Sequence, residues 1–325
     1  MSFDVICLRP EQDFLRVGIT LPTVPSIAYR APDDPELKEL FSEAKAVVIP
    51  AVGPKLAPEL FEDSTIKLIQ VTGSGVDRVD KTAMKKFGIA VANVAGGSNL
   101  AVAEYAVSVA LTLMRRFTWA DAEIKKGNYV NFRRQMVSDN LTGLDEMTVG
   151  VVGLGSIGLA VANAFHHMGS TIIYHDPRFQ ELPEADNMGA LAMPLADVLK
   201  MADIITLHMP LVPKTRGLIG GAEIASMKDE AILINAARGG VVDEEALAKH
   251  LASGHLGGAA VDVYSVEPPG ADNPLLSLTG DAANRVLFTP HIAGVTRQSW
   301  AKLFQRAWDN VETVLAGGEP NNRVY

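Results

Sequence analysis

One run constrains this chain more than any other. Gly153-Leu154-Gly155-Ser156-Ile157-Gly158 reads G-x-G-x-x-G. It follows an apolar stretch with strand character at 148–152 and opens an amphipathic stretch at 157–168. Gly169 then turns the chain into a second β-rich run at 171–175, which ends at Asp176. Alone the glycine pattern says little; inside a strand–turn–helix–strand unit it predicts a dinucleotide cradle. Gly153 permits the tight turn, Gly155 lets backbone approach a pyrophosphate, and Gly158 lets helix pack closely on strand. The helix N-terminus adds free N–H groups and the positive end of its dipole. A carboxylate at Asp176 can accept from both ribose hydroxyls and repels a 2′-phosphate, which favours NAD over NADP. Arg178, two residues on, pulls the other way. A glycine turn without a ligand is the alternative reading. No G-x-x-x-x-G-K-[ST] run occurs, so a P-loop nucleotide triphosphatase is not supported.

About 150 residues precede the cradle, so it does not belong to the first domain of the chain. The whole sequence of 325 residues suits two domains. β-rich runs at 4–8, 46–49, 67–71 and 89–93 alternate with helical patterns at 35–44 and 82–87. The alternation resumes after 148, with strands at 171–175, 203–208, 231–236, 258–264 and 286–288, and helices at 195–201 and 244–252. That pattern predicts an α/β fold of two Rossmann-like, doubly wound parallel sheets. A single long helix is expected from about Asn99 to about Lys126, where Val102, Ala106, Val109, Leu113 and Phe117 form one stripe. Residues 128–147 read as polar and irregular. The amphipathic stretch at 296–316 is long enough to return to the N-terminal part. The expected organisation is therefore a discontinuous domain, 1–100 plus 295–325, with 101–294 inserted as the dinucleotide-binding domain.

Composition excludes several classes. Twenty-nine Lys and Arg against thirty-eight Asp and Glu give a net charge of −9. The chain therefore lacks the basic footprint of a nucleic-acid binder and a polybasic patch for anionic membranes. No stretch nears ~18 uninterrupted apolar residues, and MSFDVICLRP has neither signal-peptide nor transit-peptide character. Cys7 is the one cysteine, which rules out an internal disulfide and a thiolate zinc cluster. A reducing cytoplasm is the expected location. Nothing in the histidine spacing indicates a metal: His166-His167 read as structural, and His250 and His255 flank a helix end.

Three segments after expected strands concentrate reactive residues: Asn235-Ala-Ala-Arg238-Gly-Gly-Val-Val-Asp243, Val261-Asp262-Val-Tyr-Ser-Val-Glu267-Pro-Pro, and Thr289-Pro290-His291-Ile-Ala-Gly294. Ligands of open α/β sheets bind beyond the carboxyl ends of strands. An Arg, a Glu and a His from separate strand ends could thus converge. Singly, each has a plainer reading: Arg238 in a surface pair with Asp243, Glu267 as a solvated loop acid, His291 as a turn cap.

Together with the cradle these residues resemble the D-isomer-specific 2-hydroxyacid dehydrogenase family. The likeness covers nearly the whole chain. It includes TGSGVD at 72–77, NVAGGS at 93–98 leading to VAE at 102–104, GLGSIG at 153–158, HMPL at 208–211, NAARG at 235–239, DVY…EP at 262–268 and PHIA at 290–293. The resemblance implies NAD as cofactor and a 2-keto or 2-hydroxy acid as substrate, with the active-site cleft between the two domains. It implies Arg238 on the substrate carboxylate, His291 as the acid/base, and Glu267 orienting the imidazole and stabilising its protonated form. Asp262 would accept from the nicotinamide carboxamide, and His208 and Pro210 would line the cofactor cleft; a core role for His208 remains open. Ser156, Ile157, Ala236 and Val102 join the cofactor-binding set. Amides at Ser74 and Gly75 would bind the carboxylate from the other domain.

Within the family, Glu267 argues against formate oxidation, which needs no proton acceptor. Ser74 stands where phosphite dehydrogenases place a lysine, which lowers phosphite as a substrate without removing it. An NAD-sensing corepressor is the non-catalytic alternative. Dehydrogenases of the L series, with an N-terminal cradle, fit poorly. The side-chain pocket is expected around 52–54, 74–76 and 96–99, with Arg133 and Arg134 available either to a phosphate or to solvent. A homodimer is expected from the surplus of apolar positions at Ala101, Val107, Leu111 and Trp119. Domain closure is expected to exclude water, with hinges near 98–104 and 290–297.

Overall fold

The structure is a computed structural model that describes residues 3–23, 25–178 and 182–325. The backbone divides into two compact units, Met1–Ser98 with Val295–Tyr325, and Asn99–Gly294.

The first unit is built on five parallel strands: β1 (Val5–Cys7), β2 (Ile27–Tyr29), β3 (Ala46–Ile49), β4 (Leu68–Val71) and β5 (Ala90–Ala92). Their order is β2-β1-β3-β4-β5. Every residue of β1, β3 and β4 is buried, as a parallel sheet covered on both faces requires. One face packs Ile6, Val47 and Ile69 with Phe41, Phe61 and Met84. The other packs Val5, Cys7 and Val48 with Phe14 and with Phe304, Ala307 and Trp308 of the Arg297–Leu315 helix. That helix completes the core of the first unit although it lies far along the chain. Thr296 caps its start, its hydroxyl accepting from Ser299 N at 3.0 Å. The last residues run along β5, with Val324 N donating to Val91 O at 2.8 Å and Val91 N to Tyr325 O at 2.9 Å.

The second unit has seven parallel strands: β6 (Thr148–Val152), β7 (Thr171–His175), β8 (Leu191–Ala192), β9 (Ile204–Leu207), β10 (Ile232–Asn235), β11 (Gly258–Val261) and β12 (Val286–Phe288). The order β12-β11-β10-β9-β6-β7-β8 reverses between β6 and β9. That reversal opens a crevice at their carboxyl ends, where dinucleotides bind in such folds. The Asn99–Met114 helix packs Val102, Ala106 and Val109 into a core shared with Val161, Ala162 and Phe165 of the Ser156–His167 helix. Small residues on both helices permit that close approach.

Two expectations are corrected. The helix expected from 99 to 126 is two helices, Asn99–Met114 and Phe117–Lys125. Arg116 breaks it with φ +53°, and its guanidinium pairs with Asp139 and lies over Trp119 at 5.4 Å. The apolar stripe runs through the break, because neither Gly nor Pro marks it. The segment read as irregular carries a helix, Tyr129–Ser138. Only Phe132 is buried there, edge-on to Trp119 at 5.3 Å, so one anchor replaces an apolar face. The short strands β2 and β8 have no counterpart among the expected elements. Among the described residues no helix is long and apolar enough to cross a membrane.

Candidate active site

The glycine run sits at the carboxyl end of β6. Gly153 has φ +93°, and a Cβ there would press on the backbone of His208 at 2.9 Å. A Cβ on Gly158 would collide with the Gly153 carbonyl oxygen, so helix and turn meet at a distance only glycine allows. Ser156 and Ile157 form the first turn of the helix, with Gly155 as its N-cap. Val102 is buried on the neighbouring Asn99–Met114 helix.

Asp176 follows β7 and is almost wholly buried. Its Oδ2 accepts from Leu154 N at 2.9 Å and its Oδ1 from Arg178 N at 2.9 Å. The Arg178 guanidinium adds contacts of 3.3 Å to each oxygen. Burial opposes the charge on Asp176, but the Arg178 guanidinium and amide and the Leu154 amide outweigh it. They hold the carboxyl below the usual carboxylate range. The carboxylate expected to meet the ribose is therefore covered in part by its own neighbour, whose side chain is 65% exposed and can swing away.

His208 follows β9 on the other side of the crevice, with Pro210 exposed beyond it. Its Nε2 lies 2.8 Å from Thr206 Oγ1, while Nδ1 is buried with no partner. Burial pulls its pKa down to about 3, so the ring is neutral at ordinary pH. An orphaned ring nitrogen beside a glycine cradle and a buried acid at the end of the next strand fit a dinucleotide.

The reactive residues gather at the ends of β10, β11 and β12. Asn235 shapes the first of these turns: its Oδ1 accepts from Ala237 N at 3.2 Å and its Nδ2 donates to Arg238 O at 3.3 Å. Arg238 donates from Nη1 to Ala237 O at 2.6 Å, and Ala236 is half-buried before it. Asp262 is 1% exposed and holds the third turn. Its Oδ1 accepts from Thr289 Oγ1 at 2.5 Å and Ile292 N at 2.8 Å, and its Oδ2 from Ala293 N at 2.9 Å. His291 N also donates to Asp262 O at 2.8 Å. These bonds sustain a left-handed His291 with φ +56°, a conformation that costs a non-glycine residue of order 1–3 kcal/mol.

His291 Nδ1 lies 2.9 Å from Glu267 Oε2 and 3.2 Å from Oε1. Tyr264 N donates to Glu267 Oε1 at 3.1 Å, and the Glu267–Pro268 peptide is cis. Burial raises the Glu267 pKa. The bonds from His291 and Tyr264 N, with the charges of His291 and Arg238, lower it further, so the net shift is downward. The imidazole is thus gripped at Nδ1, and Nε2 is the nitrogen available for chemistry. It is still partly exposed, with 27% of its side-chain surface open.

Sequence reasoning gave no role to Thr289, Tyr105 or Tyr264. Tyr105 Oη lies 2.8 Å from Thr289 Oγ1, and Tyr264 Oη donates to Thr289 O at 3.1 Å. Thr289 is two residues before His291, which was the available signal; Tyr105 is remote in sequence and had none. In the first unit, Ser74 and Gly75 lie in the turn after β4, where Asn93 Nδ2 donates to Ser74 O at 2.6 Å. Arg133 and Arg134 are exposed on the Tyr129–Ser138 helix.

A glycine cradle, a buried acid at the end of the next strand and a carboxylate-gripped His thus lie at the carboxyl ends of one parallel sheet. The chain belongs to the D-isomer specific 2-hydroxyacid dehydrogenase family: the description of that family's NAD binding domain matches residues 107–293, more than half of the chain. The resemblance read from the motifs is borne out. A D-3-phosphoglycerate dehydrogenase of Archaeoglobus fulgidus is 38% identical over 259 residues, covering 80% of this chain and 47% of that protein. A glycerate dehydrogenase of Methylorubrum extorquens is 33% identical over 290 residues, covering 89% and 88%. The TT0316 protein of Thermus thermophilus has a solved structure with a TM-score of 0.80, 29% identity and 99% coverage of both chains. The chain spans about half the length of the phosphoglycerate dehydrogenases it matches.

Proposed function

We propose that this chain interconverts a small D-2-hydroxy acid and its 2-keto acid with NAD as cofactor. The observation that carries the reading is the His291 imidazole, held at Nδ1 by Glu267 and set in a strained turn by Asp262. Gly153, Gly155, Ser156, Ile157, Gly158, Asp176, His208, Pro210 and Asp262, with Val102 and Ala236, are the proposed cofactor-binding set. When bound, NADH supplies the hydride that C2 receives. The Arg238 fork binds the substrate carboxylate and polarises the C2 carbonyl. In reduction His291 gives a proton from Nε2 to the developing alkoxide; in oxidation it removes the proton from the hydroxyl. Arg238 cannot take that part, because a guanidinium does not release its proton in the working range. Glu267 supplies the counter-charge to the imidazolium. In the first unit, the amides at Ser74 and Gly75 are the proposed carboxylate donors.

The relatives named as phosphoglycerate and glycerate dehydrogenases support a small 2-hydroxy acid. NADH oxidation with glyoxylate, hydroxypyruvate and 3-phosphohydroxypyruvate tests the reading; turnover of none of them overturns it.

A second copy of the chain is the proposed partner. Of the positions that motivated a homodimer, Ala101 is buried, and Val107 and Leu111 pack against the core of their own unit. Phe117, Ile124, Tyr129, Val130 and Val137 instead leave apolar surface exposed on two successive helices. Light scattering at micromolar concentration is expected to give twice the 34.7 kDa chain mass; the monomer mass refutes the dimer. The buried free thiol of Cys7 suits the cytoplasm, the proposed location.

A further inference from the structure

The first unit's sheet order places a switch point between β1 and β3, and the loop leaving β3 runs through Pro50, Ala51, Val52, Gly53 and Pro54. In open parallel sheets that edge is where ligands bind. Val52, at the tip of this loop, is 43% exposed. Behind the loop lies Arg78, only 3% exposed. Its Nε donates to Pro54 O at 2.8 Å and its Nη1 to Pro50 O at 3.0 Å, so one guanidinium spans the loop from end to end. The Arg78 carbonyl accepts from Leu56 N at 2.8 Å, which extends the clamp by one more bond.

Gly53 is shaped to this contact. Its φ is +134°, and a Cβ there would sit 3.2–3.4 Å from the guanidinium atoms. A Cβ on Gly73, in the turn that leads to Ser74, would come within 2.8 Å of the Ala51 methyl. The clamped loop therefore packs directly on the glycine turn.

Arg78 forms no ion pair among the described residues, and its Nη2 is buried without a hydrogen-bond partner. Burying a guanidinium without a carboxylate is expensive. Burial also draws its pKa downward. Stability alone is a poor reason to keep such a group, since an apolar side chain of similar size would fill the space at lower cost.

We propose that Arg78 is a positioning residue for substrate selection: by clamping the Pro50–Pro54 loop it sets which side chains beyond C2 of a 2-keto acid are accepted. The inference rests on the reading of the chain as a 2-keto acid reductase. Arg78 does not touch the substrate. Its effect therefore scales with what the substrate places against the loop: nothing for glyoxylate, whose C2 carries only hydrogen, and more for hydroxypyruvate and 3-phosphohydroxypyruvate.

The test compares Arg78→Ala with wild type on these three acids at saturating NADH, together with trypsin cleavage after the exposed Lys55. The expected result is a KM raised about 10- to 100-fold for the two larger acids, the range for a changed side-chain pocket, with kcat within about threefold. Glyoxylate turnover and NADH affinity stay within about twofold. Millimolar guanidinium restores part of the loss, and Lys55 is cut faster in the variant. An equal loss on all three acids overturns the proposal, as does no loss on any. Cleavage at Lys55 no faster than in wild type overturns the clamp. If Arg78→Ala fails to fold, Arg78→Lys carries the same comparison, because an ammonium keeps the charge but cannot present two fixed N–H groups to both carbonyls. Wild type turning over none of the acids refutes the functional reading and the selection it entails, while the cleavage rates still decide the clamp.

Discussion

Replacing Asp262 with Asn probes the turn that carries His291. The carboxylate takes three hydrogen bonds from that turn, two on Oδ1 and one on Oδ2. An amide oxygen in the place of Oδ1 keeps Thr289 and Ile292 N. The amide NH2 then faces Ala293 N, donor against donor, and a buried N–H is left unpaired. Losing a charge-assisted bond of about 1.5–3 kcal/mol and stranding its donor puts the cost at about 2–4 kcal/mol. In a unit of this size that lowers Tm by about 5–15 °C. The catalytic effect follows from the left-handed His291, which persists only because the bonds on either side hold it. A shift of the imidazole by ~1 Å is worth ~10²-fold in rate. Asp262→Asn is therefore expected to lower kcat for 2-keto acid reduction about 100-fold, measured at saturating NADH at a temperature where the variant is folded. The NADH Kd, from fluorescence titration, should move less than tenfold. Unchanged Tm and kcat would refute the turn-holding argument. A loss confined to NADH affinity would mean that Asp262 acts on the nicotinamide instead.

Two further outcomes follow from the cofactor crevice. NADH should be preferred to NADPH by at least about tenfold in kcat/KM, as a repulsion of about 1.4 kcal/mol at Asp176 implies, and Arg178→Ala should widen the gap by uncovering the acid; a preference for NADPH refutes this. His208 is neutral in the fold, with its pKa brought from 6.5 to about 3, whereas the unfolded chain protonates it below about pH 6.5. Its contribution is thus full above pH 6.5 and falls away as the pH drops towards 3. The residue as a whole is only partly buried, so the loss at pH 5 is at most about 2 kcal/mol. His208→Gln should lose less stability than wild type between pH 7 and 5; parallel denaturation curves would contradict this.

The second unit was readable from sequence nearly strand by strand, because parallel strands buried on both faces leave unbroken apolar runs such as TVGVV and TIIYH. The glycine cradle was readable because only glycine tolerates the collisions at Gly153 and Gly158. The break at Arg116 was not, since a left-handed arginine leaves no local mark and is held by Asp139 and Trp119. The Tyr129–Ser138 helix hid for a related reason: its one anchor, Phe132, packs on a residue of another helix. The reactive Arg, Glu and His could be picked out by their places after strands. What holds His291 could not: the Asp262 bonds and the Tyr105–Thr289 contact join residues distant in the chain, and in the first unit the Arg78 clamp does the same for the Pro50–Pro54 loop.

The proposed role of His291 is to carry the proton of a 2-keto acid reduction. Steady-state NADH oxidation by His291→Ala, across pH 5–9 and with the acid that wild type turns over best, tests it most directly. The expected result is a kcat lowered by ~10²–10⁴ at every pH, the range for a lost general acid, with NADH affinity nearly unchanged. A variant that kept near-normal kcat over that range would place the proton donor elsewhere and contradict the assignment of Glu267 and His291.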